Sequence, residues 1–251
     1  MFLKKYFFLL IIIVCKFCFA QTYSLEYQFN NYIEVFNETR SYNATLDYDK
    51  VLNKSLYTVL KKDINTNTGL KNGNSIVIGS NNIGNEQIYS DFNTSEMVIH
   101  EQIDIEMMNF VEKIPPIQWK LINETKTENN LKLNKATTSF RGRNYTVWYT
   151  LDIPVNVGPW KLHGLPGAIV TVEEDKGKYS WVLTGFKKLE NSILINPLEN
   201  KNYPVKDIKD YPKLKFELSE RVIAKIRQLS SNAVIHKQPR IDLELLFEWE
   251  K

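Results

Sequence analysis

The stretch AIVTVEEDKGKYSWVLTGF, residues 168–186, places two runs rich in β-branched and aromatic residues on either side of Asp175, Lys176 and Gly177. Glycine adopts positive φ without steric cost, so Gly177 suits a tight turn. The stretch therefore predicts a β-hairpin with strands at residues 168–174 and 178–186. This hairpin indicates a mainly β fold.

Short alternating runs recur on the N-terminal side of the hairpin. Tyr23, Leu25, Tyr27 and Phe29 alternate with polar residues, which is the period of a half-buried strand. Clusters of asparagine and glycine separate the later runs and act as turn signals. Further strands are predicted at residues 42–48, 56–60, 75–78, 97–105, 117–122, 131–140 and 144–151.

Strands at this spacing, without helices between them, predict a curved antiparallel meander sheet that is half-barrel or bowl-like. Its concave face should carry aromatic and branched side chains. Between Ser219 and Ser231 apolar residues recur at helical spacing, which predicts one C-terminal amphipathic helix packed on the sheet. Residues 241–249 alternate again and predict a final strand.

The N-terminus has the composition of a secretory leader, with two early lysines, an apolar run and small residues ending at Ala20. It predicts a signal peptide over residues 1–20, cleaved after Ala20, and a single β-rich domain over residues 21–251. A membrane anchor is disfavoured because a lysine interrupts the apolar run before the ~20 residues that a span requires. A lipoprotein acylated at Cys15 or Cys18 stays an alternative.

Composition excludes several function classes. The two cysteines lie in the leader, so the mature chain would have no disulfide, thiolate metal site or cysteine nucleophile. The chain has 32 Lys/Arg and 29 Asp/Glu, and three lysines belong to the leader, so the mature charge is balanced and gives no support for a nucleic-acid partner. His100, His163 and His236 have no metal-ligand spacing and no glycine-rich phosphate loop occurs, so we expect no metal and no cofactor.

Residues 156–167 concentrate glycine and proline and predict a structural corner between strands. Proline fixes φ, and the neighbouring glycines allow the left-handed conformations of a sharp bend. Trp160 and Leu162 would anchor this corner in the core or at the rim, and an active-site loop containing His163 is the alternative. The corner residues are Gly158, Pro159, Gly164, Leu165, Pro166 and Gly167.

Arg141 and Arg143 straddle a glycine and precede Trp148, which suggests a cationic and aromatic patch at the rim of the sheet. Arginine stacks on aromatic rings and binds carboxylate or glycan oxygens. The alternative is a core Trp148 beside solvated arginines. The candidate ligand-binding residues are Arg141, Arg143, Trp148, Trp160 and His163. The acidic run at residues 173–175 is interpreted as a solvated turn rather than a calcium site.

The string GPWKLHGLPGAI, residues 158–169, resembles the signature of the GLPGLI family of exported Bacteroidota proteins, with Ala168 where the family name has leucine. Similarity extends over residues 117–186. The chain departs from the family at Leu133, where members commonly have cysteine, and at residues 246–249, where they have an Asn-Pro end. The resemblance implies secretion to the cell envelope and a bowl-like β fold, but no established reaction.

These observations predict a non-enzymatic, exported binding or accessory protein, periplasmic or secreted, without a transmembrane span in the mature chain. It would hold an apolar or amphipathic ligand, or a partner's peptide or glycan, in the concave face of the sheet. Its partner would be an envelope protein or an outer-membrane transporter. The alternatives are an envelope hydrolase whose triad is not evident, although no GxSxG motif occurs, and a structural subunit of an outer-membrane uptake complex.

Overall fold

A computed structural model describes residues 22–34, 37–61, 69–71, 75–77, 84–189, 193–232, 234–235 and 240–250. The expected signal peptide over residues 1–20 and His236 lie outside these residues. The strands are β1 (Thr22–Ile33), β2 (Glu38–Asp49), β3 (Lys54–Leu60), β4 (Gly69–Lys71), β5 (Ser75–Val77), β6 (Glu86–Asp91), β7 (Glu96–Ile103), β8 (Glu106–Lys113), β9 (Lys120–Glu128), β10 (Leu131–Phe140), β11 (Arg143–Thr150), β12 (Ala168–Glu174), β13 (Tyr179–Leu189) and β14 (Val205–Asp207).

Twelve of these strands form one sheet in the order β14-β8-β7-β6-β3-β2-β1-β13-β12-β11-β10-β9. Neighbours are antiparallel except for the short pair of β14 and β8. β4 and β5 form a separate hairpin. The sheet is open rather than closed into a barrel, since β14 and β9 are its two edges. The prediction of a mainly β protein built on an antiparallel sheet is confirmed.

β1 joins two sequential sets of strands. On one side it pairs with β2, from Thr22↔Asp49 to Ile33↔Glu38, and on the other it pairs with β13, from Thr22↔Leu189 to Asn31↔Tyr179. The alternating residues Leu25, Tyr27 and Phe29 face the core, and the Tyr27 hydroxyl donates to the carbonyl of Ile169 at 2.7 Å. The period-two pattern of the first strand therefore faces the concave side of the sheet.

The hairpin of β12 and β13 forms as predicted. Gly177 has a φ of +68° at its turn. The carboxylate of Glu174 accepts hydrogen bonds from the backbone N–H groups of Lys176 and Lys178, at 3.1 and 3.0 Å. Glu174 thus satisfies the turn's own donors, and a carboxylate that accepts from nearby backbone N–H groups favours a turn.

Two helices lie near the C-terminus, α1 (Tyr211–Phe216) and α2 (Glu220–Leu229). α2 is the predicted amphipathic helix, and the Ser219 hydroxyl caps it by accepting from the N–H of Val222. It attaches to the turn between β7 and β8 through bonds from Ser219 and Arg221 to Asp104. No helix in the described part of the chain is long and apolar enough to cross a membrane. The 3₁₀ turns are Pro197–Glu199, Ile208–Asp210 and Glu248–Glu250.

Two predictions about elements were wrong in detail. Residues 241–249 do not form a strand: Leu245 and Leu246 donate to the carbonyl of Arg141, and a 3₁₀ turn follows at Glu248–Glu250. Residues 97–105 are not one strand either, because the chain turns at Asp104, whose φ is +54°. β4, β6, β8, β14 and α1 were not predicted at all.

Candidate functional site

The Gly/Pro-rich segment between β11 and β12 folds inward instead of crossing the rim. An isolated bridge joins Val157 to His163, and Gly158 N–H donates to the carbonyl of Leu162 at 2.7 Å. Gly164 N–H donates to the carbonyl of Asn156 at 2.8 Å. We call residues 151–167 the inserted loop. Its apolar side chains are buried in the main core, namely Ile153, Val155, Val157, Trp160, Leu162 and Leu165.

The glycines of the inserted loop are required for two different reasons. Gly164 has a φ of +91°, which is the left-handed conformation expected for this bend. Gly167 has no positive φ, so the expectation of a left-handed Gly167 is wrong. A Cβ at Gly167 would lie 1.9 Å from the carbonyl oxygen of Thr150, and one at Gly158 would lie 2.4 Å from Ile169 Cδ1. Gly158 and Gly167 therefore permit close approach of the loop to the sheet.

Trp160 is held in an uncommon backbone conformation. Its φ is +56°, which costs a non-glycine residue about 1–2 kcal/mol. The loop keeps this conformation because the bond from Leu162 N–H to the Pro159 carbonyl closes a turn around it. The turn directs Trp160 and Lys161 into the interior, where they are 8% and 2% exposed. Strain of this kind is common at functional sites.

The Trp160 indole, from the inserted loop, is the last ring of a stacked row. The other three rings come from the strands β13, β1 and β2. Trp160 stacks on Trp181 with centroids 6.2 Å apart, Trp181 stacks on Phe29 at 4.8 Å, and Phe29 stacks on Tyr42 at 5.9 Å. Trp160 and Trp181 are buried, whereas Tyr42 is only half-buried. The row therefore runs from the core to a partly open surface.

This row lines a cavity of about 230 Å³ in the concave face. The apolar lining also includes Tyr57, whose hydroxyl accepts from the Trp181 indole N–H at 2.9 Å. Within the described part of the chain, the Tyr57 proton has no acceptor of its own, and burial raises the pKa of this hydroxyl. The polar and charged lining residues are Asn31, Lys61, Glu86, Gln87, His100, Glu101, Lys161, Lys215, Asp242 and Glu244.

Two ion-paired groups line the cavity near its opening. Lys61 pairs with Glu86, and Lys215 pairs with Glu101 at 2.6 Å and with Asp242 at 3.2 Å. Burial raises the pKa of Glu101, in spite of the opposing charge of Lys215. Burial alone would lower the pKa of Lys215, but Asp242 and Glu101 raise it well above its ordinary value. The lysine therefore stays charged, and Glu101 binds a proton more readily than an exposed glutamate.

A second, fully buried ion network supports the inner end of the cavity. Lys161 pairs with Glu112 at 2.5 Å and with Glu244 at 2.9 Å, and Arg141 pairs with both carboxylates from the other side. All four side chains are at most 5% exposed. Burial opposes ionisation of Glu112, but Lys161 and Arg141 hold its pKa below the usual range. We call these four residues the buried network.

The buried network fixes the C-terminal segment, residues 240–250, over the end of the sheet. Glu244 belongs to this segment, and Glu248 adds a further pair to Arg141 at 3.1 Å. Arg143 donates to the carbonyl of Asp242 and pairs with Glu174 at 2.7 Å. Since Asp242 and Glu244 line the cavity, the segment forms one of its walls.

The predicted ligand-binding residues do not share one surface. Arg141 and Arg143 are 5% exposed and serve the ion pairs just described. Trp148 has the opposite parity on β11 and lies outside the core, with Lys126 and Lys135 over its ring at 4.6 and 5.5 Å. The expected joint patch of the arginines and Trp148 is therefore wrong, because residues separated by an odd number face opposite sides of a strand. Among the five candidates, only Trp160 lines the cavity.

His163 belongs to the inserted loop but does not line the cavity. Its Nε2 is 3.1 Å from the carbonyl of Pro115, and its ring meets Phe92 edge to face. Burial lowers its pKa, with partial opposition from the bond to Pro115. His100 contacts Asn109 through Nδ1 at 2.7 Å. Among the described residues no cluster of histidine, cysteine and acidic side chains could hold a metal ion.

Sequence reasoning missed most of the cavity lining. Lys161 had one usable signal, since it is a charged residue between Trp160 and Leu162 in an apolar loop, and a buried lysine requires a partner. Glu112, Glu244 and Lys215 gave no such signal. Their partners are far apart in sequence, so only the fold brings them together.

Comparisons with known proteins are consistent with this architecture. A family model described as a protein of unknown function (Porph_ging) matches residues 104–171, the part that contains Glu112, Arg141, Trp160 and Lys161. No curated protein matches the chain. Structures of PNGF-II in the C2 and P21 space groups are similar, each 19% identical over 79% of this chain, with TM-scores of 0.53 and 0.52. The matches cover 33% and 34% of those chains, so this chain spans about a third of their length. At this identity the likeness concerns the fold alone.

Proposed function

We propose that this protein is an exported, non-enzymatic binding protein of the bacterial cell envelope, and that it holds a small amphipathic ligand in the concave cavity. The observation that carries this proposal is the combination of an aromatic row with a charged opening in one cavity. Binding sites of small molecules are typically concave and mostly apolar, with a few placed polar groups. A purely structural subunit would instead have its concave face filled with side chains.

Export is proposed from the leader at residues 1–20, and an envelope location from the resemblance of residues 158–169 to the GLPGLI signature. Export and an envelope location are both compatible with a mature chain that contains no cysteine. N-terminal sequencing of the protein from fractionated cells should find Gln21 as the first residue. An intact leader or an acylated Cys18 would contradict the proposed processing.

A cavity-filling variant tests the binding role. Val59 lines the cavity and is 5% exposed, so Val59→Phe should occupy ligand space. Val182 lies in β13 and is 39% exposed, so Val182→Phe is the matched control. Small molecules released by denaturation from protein purified from its native envelope would be measured by mass spectrometry. The ligand should accompany wild type and Val182→Phe and be lost from Val59→Phe; equal retention, or no ligand in any sample, would contradict the proposal.

One observation favours an envelope hydrolase as a second candidate. A carboxyl with a raised pKa in a cavity can hold the proton that a general acid donates, and Glu101 has this property. Wild type and Glu101→Gln should then differ in turnover of chromogenic esters, peptides or glycosides. Absence of turnover by folded wild type would remove this candidate, whereas turnover abolished in Glu101→Gln would replace the binding role.

A further inference from the structure

We propose that the ligand is an uncharged ring that carries several hydroxyl groups, the chemistry of a pyranose sugar, with its C–H face on the aromatic row and its hydroxyls among the paired charges at the opening. This inference rests on the proposed binding function and adds the class of ligand. It is argued from the charges, the hydrogen-bonding capacity, the rings and the size of the cavity.

The charges favour an uncharged ligand. In the described part of the chain, every charged side chain that lines the cavity already has an ion-pair partner. A cationic or anionic ligand would leave part of its charge uncompensated, or would displace one member of an existing pair. Either outcome is unfavourable where solvent is largely excluded.

The same pairs retain hydrogen-bonding capacity. An ammonium group has three donors, and a carboxylate has about four acceptor sites. Lys61 and Glu86 form one such pair, and Lys215 and Glu101 form another, both lining the cavity. A hydroxyl group both donates and accepts, so it can bridge a lysine and its neighbouring glutamate without adding charge. Several hydroxyls on one ring would match several such positions.

The rings supply the complementary apolar surface. Tyr42 is the half-buried end of the stacked row, and it lies on the open side of Phe29. One face of a pyranose can present only C–H groups, and packing it on an aromatic ring removes apolar surface from water. In the described part of the chain no acceptor takes the proton of the Tyr57 hydroxyl, so this group can donate to a ligand in the cavity.

Size and polarity disfavour a long-chain amphiphile. The cavity of about 230 Å³ lies below the range of ~300–1,000 Å³ that is typical of drug-sized ligands. An alkyl chain would also cover the charged groups at the opening without replacing their hydrogen bonds to water. A single ring with polar substituents is small enough for the cavity and can form hydrogen bonds with the charged groups at its opening.

A series of neutral, acidic and basic monosaccharides tests the proposal. Binding of methyl glucoside, methyl mannoside and methyl galactoside to the mature protein would be measured by ligand-observed NMR and calorimetry, beside glucuronic acid and glucosamine. At least one neutral hexoside should bind about tenfold more tightly than its acidic and basic counterparts. Maltotriose and a glycoprotein with neutral glycans would then distinguish a free sugar from the end of a glycan chain. Tighter binding of a charged analogue would overturn the proposal.

Paired variants locate the site. The double variant Lys61→Met/Glu86→Met keeps the net charge but removes hydroxyl partners, and Tyr42→Ala removes the exposed ring. Each should weaken hexoside binding about tenfold or more. The matched controls Lys126→Met/Glu128→Met, an exposed pair at 2.7 Å, and Tyr32→Ala should bind as wild type does. Circular dichroism would verify folding, and Tyr42→Leu would replace Tyr42→Ala if that variant unfolds. Equal binding by site and control variants would refute the assignment.

An uncharged apolar fluorescent probe, N-phenyl-1-naphthylamine, separates the two proposals. Probe binding that Val59→Phe abolishes, without binding of any hexoside, would overturn the sugar assignment and leave the binding function standing. Absence of both probe and hexoside binding would overturn both.

Discussion

The indole of Trp160 stacks on the indole of Trp181 at an interplanar angle of 14°, with the ring centroids 6.2 Å apart. One ring comes from the inserted loop and the other from β13. The contact joins the Gly/Pro-rich motif to the row of stacked rings that lines the cavity. It explains why the loop tolerates a positive φ at Trp160, since the strain is offset by burial of a large aromatic side chain.

Replacement of Trp160 should therefore affect stability and binding together. We expect Trp160→Ala to lower the free energy of unfolding by about 3–5 kcal/mol, the usual cost of removing a buried aromatic side chain. Trp148→Ala, on the opposite face, should cost less and leave ligand binding unchanged. Urea denaturation and calorimetry would measure both effects. Loss of binding in Trp148→Ala but not in folded Trp160→Phe would move the site to the outer face.

Gly167 should be far less replaceable than Gly177. A Cβ at Gly167 would overlap the Thr150 carbonyl oxygen, whereas Gly177 has open space around it and only its φ of +68° to maintain. Gly177→Ala should cost about 1–2 kcal/mol, and Gly167→Ala should cost more. Urea denaturation of both variants would provide the comparison. Similar costs would mean that the backbone at Gly167 can shift away from β11.

The buried network should depend strongly on Lys161. Lys161→Met leaves two buried carboxylates with one arginine between them, and removal of one partner from a buried pair typically costs about 3–5 kcal/mol. The control is Lys178→Met, because Lys178 pairs with the exposed Glu34 at 2.9 Å, and a solvent-exposed pair contributes much less to stability than a buried one. Equal melting temperatures of the two variants would show that the network adds no stability.

His163 should make stability fall between neutral and mildly acidic pH. Burial lowers its pKa from 6.5, so the unfolded chain takes up a proton before the folded protein does. Its contribution is complete above pH 6.5 and is lost as the pH falls toward the folded-state pKa, with a slope of at most about 1.4 kcal/mol per pH unit. His163→Gln should reduce this slope in urea denaturation from about pH 7.5 to 5. An unchanged slope would assign it to another group.

The C-terminal segment should be an integral part of the fold. Phe247 is 0% exposed and packs against Tyr211 and the Arg141 guanidinium. Phe247→Ala should lower the free energy of unfolding by about 3–5 kcal/mol, whereas Trp249→Ala, at 37% exposed, should cost less. Thermal melts of both variants would test this. A larger loss of stability in Trp249→Ala than in Phe247→Ala would indicate that the segment is held mainly by its exposed side chains.

Local pattern predicted much of the sheet. Alternation identified the first strand, and Gly177 identified the turn of the β12 and β13 hairpin, because both signals act over a few residues. The same pattern failed for residues 241–249, where the buried side chains Glu244 and Phe247 are three positions apart and are covered by ion pairs and by Tyr211 instead of by a strand pair. Alternation in a short segment therefore does not establish that the segment is a strand.

The site was less accessible to sequence reasoning. Arg141 and Arg143 drew attention as a pair, and their spacing does place both on one face of the turn and strand. Whether that face is solvent-exposed or buried depends on Glu112, Glu174 and Glu244, which form ion pairs with the two arginines. These three glutamates come from three other parts of the chain. Trp160 was expected to anchor the corner in the core or at the rim; it lies in the core, in a stack that depends on Phe29 and Trp181.

The pairing of β1 with β13 also has a kinetic consequence. Strands β1 to β3 follow one another in the chain, and so do strands β9 to β13, with the inserted loop between β11 and β12. The two groups become neighbours in the sheet through the pairing of β1 with β13, which aligns Thr22 with Leu189. Contacts between residues so distant in sequence require an ordered search with a large loop-closure entropy, and such topologies fold slowly. Each of the two groups of strands would have an unpaired edge strand until β1 pairs with β13. In vivo, the interval before β1 joins β13 is therefore the period of greatest exposure to aggregation and to chaperones.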